Sequence, residues 1–219
     1  MVDTLKKKFH YTGCYRTGKK VWWHTQDFTD EHKEQISELN HRTAIRDTIE
    51  FKSVLGDFPV NALRIALYEL FPDAVIHSRV GRKRYGNGYD LEAVWQGVRL
   101  VRAEIRNRWE ELDSCTVKKW FDRDPEINFI VSSYVTRKAK EKFENEFIEH
   151  IVFYRQIVPR WYSDELRRNG YPYDNEFIIF DFHELVEYYK AKILSIPLLK
   201  MWHDICRKQI VWREKYDIR

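Results

Sequence analysis

Cysteine is scarce: the 219 residues hold three, at positions 14, 115 and 206. No two of them stand at metal-ligand spacing, and an odd number argues against a disulfide framework. A reducing cytoplasm is the expected compartment. Long apolar runs are absent too, so no segment is expected to cross a membrane, and the first residues lack the apolar stretch of a signal peptide. There is no internal repeat and no low-complexity segment. Charge of one sign is not in excess: the formal net charge is only +4, too small to imply a nucleic-acid partner by itself. What is plentiful is apolar and aromatic material, 43% and 16% of the chain with 8 Trp. That is enough for one large domain, or a domain with extensions, around a packed core.

The stretch from Gly86 to Arg108 organises the rest. It reads as two strands around a Gly-containing turn. Asp90 enters the first strand and Glu104 lies near the end of the second. Side chains alternate along a strand, so Arg102, Glu104 and Arg106 share one face, as do Asp90 and Glu92. The turn decides whether the two faces coincide. A two-residue loop sets Asp90 opposite Ala103 and away from Glu104. A three-residue loop, Trp95-Gln96-Gly97, sets Asp90 opposite Arg102 and diagonal to Glu104. In that second register the two carboxylates can share a hard divalent cation.

Basic residues gather around this pair: Arg79, Arg82, Lys83, Arg84, Arg99, Arg102, Arg106 and Arg108. Such a cluster suits a phosphate backbone. The segment from Arg79 to Gly88, rich in glycine and base, reads as a loop whose backbone N–H groups can meet a phosphate.

Elsewhere the pattern predicts a hairpin over 5–25, with Phe9–Tyr15 and Val21–Thr25 as strands, Trp22 and Trp23 packing, and His10 and His24 structural or exposed. A helix from Thr29 or Asp30 to Val54 is expected to end at Gly56. A second helix starts at Asp57, with Pro59 in its first turn and Val60, Leu63, Leu67 and Leu70 buried. A strand over 74–78 follows. After the central hairpin, Asp113 or Ser114 caps a short helix to Phe121. Ile127–Val135 reads as a strand buried on both faces, parallel to Val98–Arg106 in a right-handed crossover. Ala139, Phe143, Phe147 and Ile151 mark a helix, 155–175 a loop, and Glu176–Phe182 a strand. Two helices separated by Pro197 close the chain, the last carrying Leu198, Trp202, Ile205 and Trp212. His183 and His203 are expected to be structural.

A Gly-rich loop, then Asp90-Leu91-Glu92-Ala93, a turn, an apolar strand and Glu104-Ile105-Arg106 resembles the core of the PD-(D/E)xK nucleases. The likeness covers about Val60–Val135. It is nearest the archaeal Holliday-junction resolvases, and more loosely the nucleases of archaeal spindle-shaped viruses. The resemblance implies an α/β fold with a restriction-endonuclease-like mixed central sheet flanked by helices. The nuclease-like core would span 57–150, the hairpin and helix of 1–56 would be an N-terminal extension, and 151–219 would complete the same domain with C-terminal helices.

The resemblance further implies that Asp90, Glu104 and the Ile105 carbonyl hold Mg²⁺ or Mn²⁺. Arg106 takes the position of the family's Lys, and Tyr89 that of its Pro. Arg79, Arg82, Lys83, Arg84, Arg102 and Arg108 would contact DNA. The family's additional helix acid falls near Asn61, which has no charge to offer; Glu69 is the nearest later acid. The implied activity is metal-dependent cleavage of duplex or branched DNA, by a homodimer, in the cytoplasm, or in the host's cytoplasm for a viral protein. The alternatives are a DNA-binding or architectural protein on a degenerate nuclease core, and a protein of that fold working through protein contacts of its C-terminal helices.

Overall fold

The computed structural model describes residues 9–14, 19–24, 49–78, 89–107, 112–145, 149–168 and 177–216. Strands β1 (Phe9–Cys14) and β2 (Lys19–His24) form an antiparallel hairpin with Phe9 opposite His24, as expected of this stretch. The helix expected over 30–48 lies outside the described residues.

The long helix α1 (Ile49–Leu70) runs without a break through Gly56 and Pro59. The expected helix end at Gly56 and new cap at Asp57 are therefore corrected, and the proposed boundary between residues 56 and 57 falls inside one helix. The reason is the apolar stripe. Leu55, Phe58, Ala62, Leu63, Ala66, Leu67 and Leu70 are all buried, on both sides of the expected break. Burying one such side chain gives about 1.5–3 kcal/mol; a glycine within a helix costs about 1 kcal/mol. A Cβ at Gly56 would meet nothing within 4 Å, so that site faces open space.

The main sheet has five strands in the order β3-β4-β5-β6-β7. They are β3 (Val75–Ser78), β4 (Leu91–Trp95), β5 (Val98–Arg106), β6 (Phe129–Ser133) and β7 (Glu149–Phe153). The first three are antiparallel neighbours; β6 and β7 run parallel to β5. Crossover helices α2 (Ser114–Arg123) and α3 (Arg137–Asn145) make the parallel connections. Asp113 caps α2 by accepting the Thr116 N–H at 2.7 Å, and that bond holds its carboxyl below the usual carboxylate range.

One face of the sheet carries Leu91, Ala93, Trp95, Val101, Ala103, Ile105, Phe129 and Val131. It packs with side chains of α1 and of the C-terminal helices α5 (Phe182–Ser195) and α6 (Pro197–Lys215) in the largest buried cluster. On the opposite face Ile130 packs with Val117 and Trp120 of α2 and Ala139 of α3. The strand expected at Ile127–Val135 is thus covered on both faces, as its continuous apolar run requires.

Two expectations fail after α3. Ile151 is not helical but lies in β7. The expected loop at 155–175 contains β8 (Gln156–Pro159) and α4 (Arg160–Arg168), and β8 pairs in parallel with β9 (Phe177–Phe180) as a separate two-stranded sheet. Pro159 ends β8, where the missing N–H does least harm.

Candidate active site

The β4–β5 turn sets the geometry. Gln96 and Gly97 both have positive φ, 49° and 79°, the combination of a two-residue hairpin turn that matches strand twist. Trp95 pairs Val98 and Val94 pairs Arg99, so of the two loops the sequence left open the two-residue one is present. Left regular, this turn would send Asp90 to Ala103. The register instead shifts between Ala93 and Val94: Ala93 pairs Val101, Glu92 pairs Arg102 and Leu91 pairs Ala103. Leu100 is the extra residue of a bulge. The adjacent Leu100 and Val101 are consequently both buried in the same core cluster, which an unbroken alternation forbids.

The paired register ends with Leu91 opposite Ala103, so Asp90 stands just before β4 and Glu104 just after the last residue of β5 paired with it. Asp90 grips the backbone on both sides of Glu104. Its N–H donates to the Ala103 carbonyl at 2.8 Å, and its Oδ2 accepts the Ile105 N–H at 2.9 Å. A strand residue directs its N–H and C=O to the same side, so the Ile105 carbonyl shares that edge with the Asp90 carboxylate.

Glu104 is 3% exposed. A buried carboxylate requires a positive partner, and the Arg106 guanidinium forms an ion pair with it. Arg106 also lies over the Trp120 ring of α2, 5.3 Å from its centroid. Its carbonyl accepts the Ser133 hydroxyl at 3.2 Å.

Arg102 does not present its charge to solvent. Its side chain is 13% exposed and makes ion pairs with Asp124 at 2.8 Å, Glu126 at 2.8 Å and Glu92 at 3.3 Å. The face of the Tyr89 ring lies 4.3 Å from its guanidinium carbon. Arg99 reaches Glu92 and Glu126, both at 2.9 Å, and its hydrogen bond holds the Glu126 carboxyl below the usual range. The expected phosphate contact at Arg102 is thus occupied by protein carboxylates. Arg79, Arg82, Lys83, Arg84 and Arg108 lie outside the described residues. Asn61 sits within α1, and Glu69, at its end, pairs with Lys190 at 2.8 Å.

The part that other residues play in holding this arrangement was not read from the sequence. Glu92, Asp124 and Glu126 balance Arg99 and Arg102. Asn107, directly after Arg106 and 8% exposed, binds the backbone of Ile157 from both sides. Its Oδ1 accepts the Ile157 N–H at 2.8 Å and its Nδ2 donates to the Ile157 carbonyl at 2.6 Å. The bulge did leave a signal. From Val98 the alternation runs apolar-basic-apolar, then slips one step at Leu100-Val101 and resumes through Arg102, Glu104 and Arg106.

Two carboxylates and a carbonyl form an all-oxygen donor set, which fits a small hard cation that takes its remaining oxygens from water and a phosphate. Among the described residues, no group of three or more His, Cys, Asp and Glu side chains is placed to enclose a metal by itself. None of the described helices is long and apolar enough to cross a membrane. The fold is that of an α/β protein with a five-stranded mixed sheet flanked by helices. The sequence matches no model of a known protein family and no curated protein.

Proposed function

We propose that the protein is a metal-dependent DNA endonuclease of the PD-(D/E)xK kind, acting on branched DNA by phosphodiester hydrolysis. The observation that carries this reading is the hold of Asp90 on the backbone either side of Glu104, with Arg106 paired to Glu104 from two residues further along the strand. The succession α1-β3-β4-β5-α2-β6, helix, three antiparallel strands, helix, parallel strand, supports it, as does the agreement of that span with the resembling stretch.

In this reading Asp90, Glu104 and the Ile105 carbonyl hold Mg²⁺ or Mn²⁺, which when bound neutralises charge on the phosphate and lowers the pKa of a water. Arg106 remains protonated at any working pH and is no general base. Its planar fork binds a phosphate oxygen and stabilises the charge that grows there. Arg82, Lys83 and Arg84 contact the DNA backbone, a source of affinity without sequence preference. A four-way junction offers two equivalent strands, which a two-fold homodimer matches.

A second reading is a DNA-binding protein on a catalytically inert core. The Glu104–Arg106 ion pair favours it, because the same two groups neutralise one another with no cation at all. Single-turnover cleavage of a four-way junction separates the two. The nuclease reading expects Mg²⁺-dependent cutting that Asp90→Ala or Glu104→Ala abolishes while DNA binding persists. Junction binding without cleavage by the wild type favours the inert core.

A further inference from the structure

We propose that Glu104 exchanges counter-ions: Arg106 neutralises it in the free protein, a divalent cation replaces Arg106, and the displaced guanidinium is received by the Ser132 hydroxyl. This rests on the reading of Asp90 and Glu104 as cation ligands. Ser132 is thereby a positioning residue for Arg106.

The Glu104 carboxylate is nearly enclosed and in ionic contact with Arg106. A divalent cation on that carboxylate and a guanidinium on the same oxygen repel each other at close range, in surroundings that screen weakly. The guanidinium has to leave when a cation enters. Its backbone is fixed, since the Arg106 carbonyl accepts the Ser133 hydroxyl; the side chain alone swings.

A destination stands beside it. Ser132 is the register partner of Arg106 in the parallel β5–β6 ladder, on the same face of the sheet and one strand spacing away, about 4.8 Å. It is 1% exposed, and among the described residues its Oγ has no hydrogen-bond partner. Buried hydroxyls are nearly always bonded. An orphan acceptor next to a five-donor side chain is explained if that side chain uses it in a second state. The Trp120 ring lies within reach of the guanidinium and keeps contact through a short swing.

Calorimetric titration of Mn²⁺ into the DNA-free protein, at mildly alkaline pH, tests the exchange. Arg106→Gln removes the competing charge and should bind Mn²⁺ about tenfold more tightly or better. Arg106→Lys keeps the charge and should stay within a few-fold of wild type. Ser132→Ala should weaken binding several-fold, and Ser132→Thr should restore it. An Arg106→Gln affinity equal to wild type overturns the proposal, as does a Ser132→Ala affinity equal to wild type. Should Arg106→Gln fail to fold, the arginine Nε–H resonances of the wild type, with Arg106 identified by its loss in Arg106→Lys, provide the same test. The Arg106 signal should move in step with Mg²⁺, and a stationary signal while Mg²⁺ binds refutes the exchange. Junction cleavage is scored separately. Tightened binding in Arg106→Gln with no cleavage by the wild type leaves the exchange standing and removes the nuclease reading. Cleavage with unchanged affinity does the reverse. Absence of cation binding in every form overturns both.

Discussion

The side-chain amide of Asn107 donates to the carbonyl of Leu55 at 2.9 Å. In α1 that carbonyl would receive the N–H of residue 59, and residue 59 is a proline with none to give. The residue after Arg106 therefore repairs a gap in the helix beneath the sheet, while its other hydrogen bonds hold β8. One buried amide ties α1, β5 and β8 together at the end of the strand that carries Glu104. Asn107→Ala leaves the Leu55 carbonyl and both polar groups of Ile157 without these partners. At about 1–3 kcal/mol for each buried group left unsatisfied, the loss should reach about 3 kcal/mol or more by urea denaturation. Pro59→Ala returns a donor to Leu55, so Asn107→Ala should then cost about 1 kcal/mol less. Equal costs in the two backgrounds would show that the Asn107–Leu55 bond does not substitute for the missing helical one.

Arg102 and Arg99 should differ sharply despite sharing partners. Arg102 is largely buried against Asp124, whose side chain is 5% exposed, whereas the Arg99 side chain is 39% exposed. Arg102→Met strands a buried carboxylate and should destabilise by about 3–5 kcal/mol. Arg99→Met removes an exposed guanidinium and leaves Glu92 its pair with Arg102, so it should cost about 0–1 kcal/mol. Thermal or urea unfolding of the two variants decides; similar losses would mean that burial does not set their weight. Arg102 should likewise contribute nothing to the salt dependence of DNA binding. Replacing Arg82, Lys83 and Arg84 together should flatten that dependence, by about 0.9 in the logarithmic slope for each phosphate no longer neutralised.

Gly97 holds φ at +79° with open space around it. An alanine there meets no clash with neighbours, only the backbone penalty of the left-handed region, about 1–2 kcal/mol. Gly97→Asn, better suited to that region, should recover part of it. Equal stability of Gly97→Ala and wild type would exclude the two-residue turn.

His203 packs edge-on against Phe71, ring centroids 5.9 Å apart at 88°. Burial, with a lesser push from Arg207, moves its pKa below the ordinary value against the pull of Asp204. The folded state thus prefers the neutral ring, and the unfolded state takes up the proton first. Its contribution is intact above the unfolded pKa of about 6.5 and is lost as pH falls through that value towards the lower folded one. His203→Phe keeps a ring and removes the titration. Its urea midpoint should fall less than that of wild type between pH 7.5 and pH 5; an identical fall would clear His203 of any role in acid sensitivity.

The elements around the site were legible because local pattern and tertiary role agree. Alternation in 91–95, the cap at Asp113 and the apolar run at 129–133 each serve the fold they predict. The misses share a physical origin in interactions distant along the chain. Gly56 and Pro59 read as a helix boundary because their repair comes from the buried stripe and from Asn107, 48 or more residues away. Ile151 fell at helical spacing from Ala139, yet pairing with Val131 of β6 makes it a strand residue. The carboxylates could be named from the sequence, but the strand register beside them depended on Leu100, whose phase slip is visible once alternation is followed through the whole strand. The orphan hydroxyl of Ser132 is not readable at all without the neighbouring strand.

The most direct measurement of the central claim is anomalous diffraction from crystals equilibrated with Mn²⁺. One manganese peak is expected in contact with both the Asp90 and Glu104 carboxylates, beside the Ile105 carbonyl, and it should vanish in Glu104→Gln crystals. Saturating Mn²⁺ that leaves this position empty, with Arg106 still on Glu104, would contradict the claim.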